Sequence, residues 1–136
     1  MNTTKSILLT LAASLAVSAS ALAQEAKLPP AAGKKDVTYA ADIKPIFDVA
    51  CVKCHSGDKP KARLKMDTLA GVLKGTKMGP IVTPGNSDKS FILKATAHLS
   101  KDRDSWMPPL QNRAGIKPLT PEQIGLIRAW IEQGAK

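Results

Sequence analysis

A five-residue segment, Cys51-Val52-Lys53-Cys54-His55, constrains this chain more than any other feature. It contains both cysteines and one of the two histidines of the 136-residue sequence. The remainder offers little bulky apolar material, since only 4% of the residues are aromatic. Small domains commonly need a disulfide, a metal or a cofactor to complete their core. We therefore expect the fold to be built around whatever this segment holds.

The first 23 residues have the pattern of a secretory signal peptide. Lys5 supplies a positive charge, an apolar stretch runs from Ile7 to Val17, and Ala21-Leu22-Ala23 fits the small-x-small rule for cleavage after Ala23. The alternative is a membrane anchor, but the apolar stretch falls short of the roughly 18 to 20 residues that span a bilayer. We expect an exported, periplasmic protein without a transmembrane anchor.

The predicted mature chain is basic. It keeps 19 basic residues against 11 acidic ones, because Lys5 is the one charged residue in the removed segment. Such an excess can favour nucleic acid, anionic lipid or an acidic protein surface, and export argues against nucleic acid. In an oxidising compartment, two cysteines by default form one structural disulfide, so a different interpretation needs a more specific argument.

The pattern beyond the signal peptide is helical. Residues 24–37 mix Pro, Ala, Gly and Lys as a flexible lead-in does, and the folded domain is predicted to span residues 38–136. Helical spacing and capping residues predict four helices: Tyr39 to Ala50 with Pro45 near its start, Asp67 to Gly75, Asp88 to about His98, and Thr120 to Gly134. No alternating strand pattern occurs in the sequence. The predicted fold class is all-α, about four helices with long irregular loops.

The segment at 51–55 has the form C-x-x-C-H, which is the attachment sequence of c-type haem. Two thiols about one helical turn apart can each add to a porphyrin vinyl group, and the next residue can offer its imidazole to the iron. We predict one haem c, covalently attached through Cys51 and Cys54, with His55 as the proximal iron ligand. The second ring nitrogen of His55 needs an acceptor, which we expect in the Gly79-Pro80 region.

Three other interpretations of the cysteines fail on specific requirements. A zinc site would need a fourth ligand, and His98 is the one remaining imidazole. A redox dithiol of the thioredoxin type would need a β-sheet fold with a strand before the motif. A local disulfide would leave His55 and the preceding helix unexplained.

The sixth iron ligand separates electron transfer from small-molecule chemistry, because a filled sixth position closes the iron to added ligands. Met107 precedes Pro108-Pro109, whose fixed φ angles can present a thioether on a stiff loop, and it is the predicted distal ligand. Met66 has the spacing of a core residue, and Met78 lies in a turn. His98, predicted on a helix, is the bis-histidine alternative and otherwise a surface residue of that helix.

Several short sequence motifs occur together between Tyr39 and Ala135. They are Ile43-Lys44-Pro45-Ile46-Phe47, the Cys51 to His55 segment, Leu64-Lys65-Met66-Asp67, Pro84-Gly85 with Ser90, Met107-Pro108-Pro109, Leu119 to Gln123, and Trp130 to Ala135. With this set the chain resembles the small class I cytochrome c domains. The resemblance implies the small cytochrome c fold, crossing terminal helices with Phe47 against the Trp130 region, and Met107 as distal ligand. The sequence departs from the family pattern at Met66, a position where the family usually has Leu.

The function predicted is electron carriage between redox partners, with no catalytic residue. The alternative is a haem-bearing subunit that relays electrons within a periplasmic oxidoreductase complex, and gas or peroxide chemistry would require Met107 to be off the iron. A carrier would be a monomer unless it is such a subunit. Five basic residues next to the motif predict docking of an acidic-faced redox protein, against the alternative of a merely solvated loop: Lys53, Lys59, Lys61, Arg63 and Lys65.

Overall fold

The computed structural model describes residues 27–136, so the predicted signal peptide, residues 1–23, lies outside the described residues. These residues form four α-helices: α1 (Lys44–Ala50), α2 (Leu69–Lys74), α3 (Phe91–Thr96) and α4 (Pro121–Glu132). No strand occurs between residues 27 and 136, which is compatible with the predicted all-α class. In the same range no helix has the length and apolar character needed to cross a membrane.

The first and last helices begin where the sequence predicts. A π-helical turn, Tyr39–Ile43, leads directly into α1, and Thr38 caps it by accepting a hydrogen bond from the Ala41 N–H. Pro45 lies in the first turn of α1, directly after this π-helical turn. Thr120 and Gln123 form the predicted capping box of α4, with hydrogen bonds of 3.3 and 2.9 Å.

The two middle helices differ in their bounds from the prediction. The N-cap of α2 is Thr68 rather than Asp67, and its hydroxyl accepts from the Gly71 N–H at 3.1 Å. Helix α3 begins at Phe91 rather than Asp88, because the Asn86 side chain accepts from the Lys89 N–H and closes a turn there. The sequence predicted that this helix extends to about His98, whereas α3 ends at Thr96.

Packing of α1 against α4 places the attachment segment. Phe47 and Trp130 are both fully buried, and their ring centroids lie 6.5 Å apart at an interplanar angle of 87°. This edge-to-face contact confirms the expected contact of Phe47 with the Trp130 region. Tyr39 packs on both rings and donates its hydroxyl hydrogen to the Met66 carbonyl at 2.9 Å. The aromatic cluster therefore connects the end of α1 to the loop that follows the attachment segment.

The expected flexible lead-in is packed against α4 over the part that the structure describes. The Ala32 N–H donates to the Gly125 carbonyl at 2.9 Å, and the Arg128 guanidinium donates to the Pro29 carbonyl at 3.1 Å. Val37 is buried, and its N–H donates to the Gln133 side chain. These contacts use backbone groups of the segment, which its composition does not reveal.

Candidate functional site

The attachment segment begins where α1 ends and continues as a tight turn. The Cys51 N–H donates to the Phe47 carbonyl at 2.8 Å, so the buried aromatic cluster positions the first cysteine. The Cys51 carbonyl then accepts from the N–H groups of Cys54 and His55, at 3.1 and 3.0 Å. Cys51 is 7% exposed, and Cys54 is half-buried. The turn therefore gathers the two thiols and the imidazole within five residues.

The state of the thiols argues against the alternative interpretations. Both cysteines are free. Burial, with a smaller contribution from Cys54, raises the pKa of the Cys51 thiol to about 12, whereas a redox-active dithiol needs a lowered pKa. Within residues 27–136, no group of three or more His, Cys, Asp or Glu side chains is arranged to hold a metal ion. Neither a dithiol nor a zinc site gains support.

One ring nitrogen of His55 is hydrogen-bonded to a backbone carbonyl. Its Nδ1 lies 3.0 Å from the Lys61 carbonyl oxygen. A carbonyl only accepts, so Nδ1 carries the proton and the lone pair of the neutral ring is on Nε2. Burial lowers the pKa of His55, which favours this neutral form. A neutral imidazole whose other nitrogen is held by a backbone carbonyl is the usual form of a metal-binding histidine.

The acceptor for His55 corrects the expectation from the sequence. It is the Lys61 carbonyl and not a carbonyl of the Gly79-Pro80 region. Residues 56–66 fold back onto the attachment segment, where the Lys61 N–H donates to the Cys54 carbonyl at 3.0 Å and the Met66 N–H to the His55 carbonyl at 2.8 Å. The Gly79 carbonyl instead closes a local turn by accepting from the Thr76 N–H.

This donor set fits a c-type haem. Covalent attachment needs two free thiols close in sequence, and the iron needs a neutral imidazole with an available nitrogen. Cys51, Cys54 and His55 meet these requirements in one continuous turn.

The three methionines of the described chain occupy different environments. Met66 is 4% exposed within the core, as its spacing predicted, while Met78 is 91% exposed on a surface turn. Met107 is half-buried, and its N–H donates to the Ala95 carbonyl in α3 at 3.0 Å. Among residues 27–136, no hydrogen bond joins the Met107 loop to residues 51–55. The structure thus brings Cys51, Cys54 and His55 together and carries Met107 on a separate segment attached to α3.

His98 is not the surface residue of a helix that its position suggested. It follows α3 with a φ of 56°, in the left-handed region, and is half-buried. Its ring stacks on Trp106 at a centroid distance of 5.0 Å, and its Nε2 lies 3.1 Å from the Pro108 carbonyl oxygen. Trp106 was not singled out from the sequence, although its position directly before Met107 was a usable signal.

No curated protein and no solved structure matches the chain. Residues 51–111 match a family model described as planctomycete cytochrome C. The matched region begins at Cys51 and extends past Met107, so it includes the attachment segment and the Met107 loop. The match supports a cytochrome c-type domain in this chain.

Proposed function

We propose that this protein is an exported, periplasmic monohaem cytochrome c of the small class I type. It would carry electrons between redox partners through an iron ligated by His55 and Met107. The observation that carries the proposal is the attachment turn, in which two free thiols adjoin an imidazole whose Nδ1 is held by the Lys61 carbonyl. The family match over residues 51–111 supports the same conclusion.

Each residue of the site has a defined role in this proposal. The haem supplies one-electron chemistry between ferric and ferrous iron. Cys51 and Cys54 would hold it through thioether bonds, and His55 would bind the iron through Nε2. The Lys61 carbonyl fixes the His55 tautomer and ring orientation and increases the basicity of the ligand. Met107 would close the sixth position and raise the reduction potential, so no side chain has to transfer a proton.

The loop after the motif supports docking of an acidic partner. Five basic side chains in and beyond the motif are exposed, and none of them takes part in an ion pair within residues 27–136: Lys53, Lys59, Lys61, Arg63 and Lys65. Hydrogen bonds of Lys61 to both Cys54 and His55 hold this loop against the attachment segment. A partner docked on these side chains would approach the haem where it joins the chain.

Covalent attachment is the test of the proposal. The mature holoprotein is denatured and extracted with acidified organic solvent, which removes haem that is not covalently bound. We expect the haem to remain with the chain and to add the mass of one haem to it. The matched control is the Cys51→Ser, Cys54→Ser double variant, which keeps His55 and should lose all its haem to the solvent. Haem moving from the parent protein into the solvent would refute the proposal.

A further inference from the structure

Three consecutive residues centred on Met107 are each tied to the chain that ends α3. The Trp106 indole N–H donates to the Ser100 carbonyl at 2.9 Å. The Met107 N–H donates to the Ala95 carbonyl at 3.0 Å. The Pro108 carbonyl accepts from His98 Nε2 at 3.1 Å. The position of Met107 is therefore set by residues 95–100 rather than by its proline-rich loop alone.

His98 makes two of the contacts in this arrangement. Its ring is parallel to Trp106, at an interplanar angle of 5°, and the Arg103 guanidinium lies over the Trp106 ring at 5.0 Å from the centroid. Because the Pro108 carbonyl can only accept, His98 Nε2 carries the proton of that hydrogen bond. The Nε2 lone pair that an iron ligand would need is thereby absent, which disfavours the bis-histidine alternative at this nitrogen.

The backbone at His98 is also unusual. A φ of 56° is uncommon for a residue with a side chain, although histidine adopts it more often than most. Such conformations persist where surrounding contacts maintain them, and they are found most often at functional sites. Here the left-handed turn directs the chain out of α3 while the His98 side chain contacts both Trp106 and Pro108.

We propose that His98 is a positioning residue that holds Met107 for iron ligation, by stacking on Trp106 and donating a hydrogen bond to the Pro108 carbonyl. This inference rests on the proposed ligation by Met107. Without the contacts of His98, Met107 would leave the ferric iron more readily, and an added ligand would replace it at a lower concentration.

The test is a titration of the ferric holoprotein with imidazole, followed by loss of the sulfur-to-iron absorption band. His98→Asn removes the ring and its hydrogen bond, and asparagine tolerates positive φ, so the backbone gains little strain. A hydrogen bond worth about 0.5–1.5 kcal/mol corresponds to a midpoint lowered about two- to twelvefold. Lys101→Asn introduces the same residue at an exposed neighbouring position, and its midpoint should equal that of the parent.

The outcomes separate this inference from the proposed function. If Met107→Leu abolishes the band but His98→Asn titrates like the parent, the positioning role is refuted and the ligation stands. If the parent band persists in Met107→Leu, the proposed ligation fails, and this inference with it. Should His98→Asn not fold, Trp106→Leu is the second variant, because it removes the ring on which His98 stacks. Its midpoint should also fall, and an unchanged midpoint would overturn the inference.

Discussion

At the scale of single residues, the three methionines of the described chain differ in their burial. Met66 is enclosed in the core and its N–H is bonded to the His55 carbonyl, so its side chain already serves packing. Met78 is 91% exposed in a turn closed between Thr76 and Gly79. Met107 is half-buried on an anchored loop, an environment in which a thioether is both accessible and held.

Replacing the three methionines one at a time with leucine tests this assignment. Leucine has similar volume, so each variant should lose less than about 1.5 kcal/mol of folding stability. We expect Met107→Leu to abolish the sulfur-to-iron absorption of the ferric protein and to lower its reduction potential, because the iron loses its thioether ligand. Met66→Leu and Met78→Leu should keep the full band. Loss of the band in either of these would move the distal ligand to that residue.

At the scale of elements, the packing of α4 against the segment before α1 depends on a glycine. Gly125 is buried in the middle of the helix, and a Cβ built there would lie 2.6 Å from the Pro30 carbonyl oxygen. That oxygen belongs to the backbone, so the segment before α1 approaches the helix closely only because residue 125 is glycine. This close approach allows the hydrogen bonds from Ala32 and Arg128 that hold the segment.

Gly125→Ala should therefore destabilise the holoprotein although alanine is the better helix former. Alanine gains about 1 kcal/mol in helix propensity. Displacing residues 29–32 breaks two hydrogen bonds of about 0.5–1.5 kcal/mol each and adds packing strain of about 1–3 kcal/mol. We expect a net loss of about 1–5 kcal/mol in the free energy of unfolding, measured with urea. Gly33→Ala is the control, because no atom lies within 4 Å of its built Cβ, and it should match or exceed the parent. A Gly125→Ala variant more stable than the parent would contradict this expectation. It would show that residues 29–32 can move away from α4 without loss of stability.

At the scale of the whole molecule, the charge distribution predicts how the protein meets redox reagents. Lys59, Lys61 and Lys65 are exposed on the loop that is bonded to the attachment segment. Replacing all three with Glu should slow oxidation of the ferrous protein by anionic hexacyanoferrate severalfold at low salt and speed oxidation by a cationic cobalt complex. Both differences should shrink as ionic strength rises above about 0.1 M, where the screening length is about 10 Å.

A variant of equal net charge separates docking from overall charge. Lys35, Lys89 and Lys117 are exposed lysines outside this loop, and their replacement with Glu changes the total charge by the same amount. We expect this second triple variant to affect both rates less than the first. Equal effects of the two variants would mean that the basic loop acts only through net charge and has no docking role.

Features that depend on neighbouring residues could be predicted from the sequence alone. The spacing of Cys51, Cys54 and His55 indicated the attachment chemistry, and Thr120 with Gln123 marked the start of α4, because capping hydrogen bonds join residues three apart. The resemblance to the small cytochrome c domains likewise implied the contact of Phe47 with the Trp130 region. Ligation by Met107 stays a prediction, and the signal peptide lies outside the described residues.

Other features were decided only by tertiary structure, because they involve backbone groups that every residue possesses. Nothing in the sequence distinguishes the Lys61 carbonyl from the carbonyls near Gly79, and the folding of residues 56–66 against the attachment segment makes the choice. The environment of the His98 side chain likewise depends on tertiary structure. It is set by the residue at which α3 ends and by the contact of His98 Nε2 with the Pro108 carbonyl. Local spacing therefore determined which side chains can hold a cofactor, while chain packing determined which backbone atoms orient them.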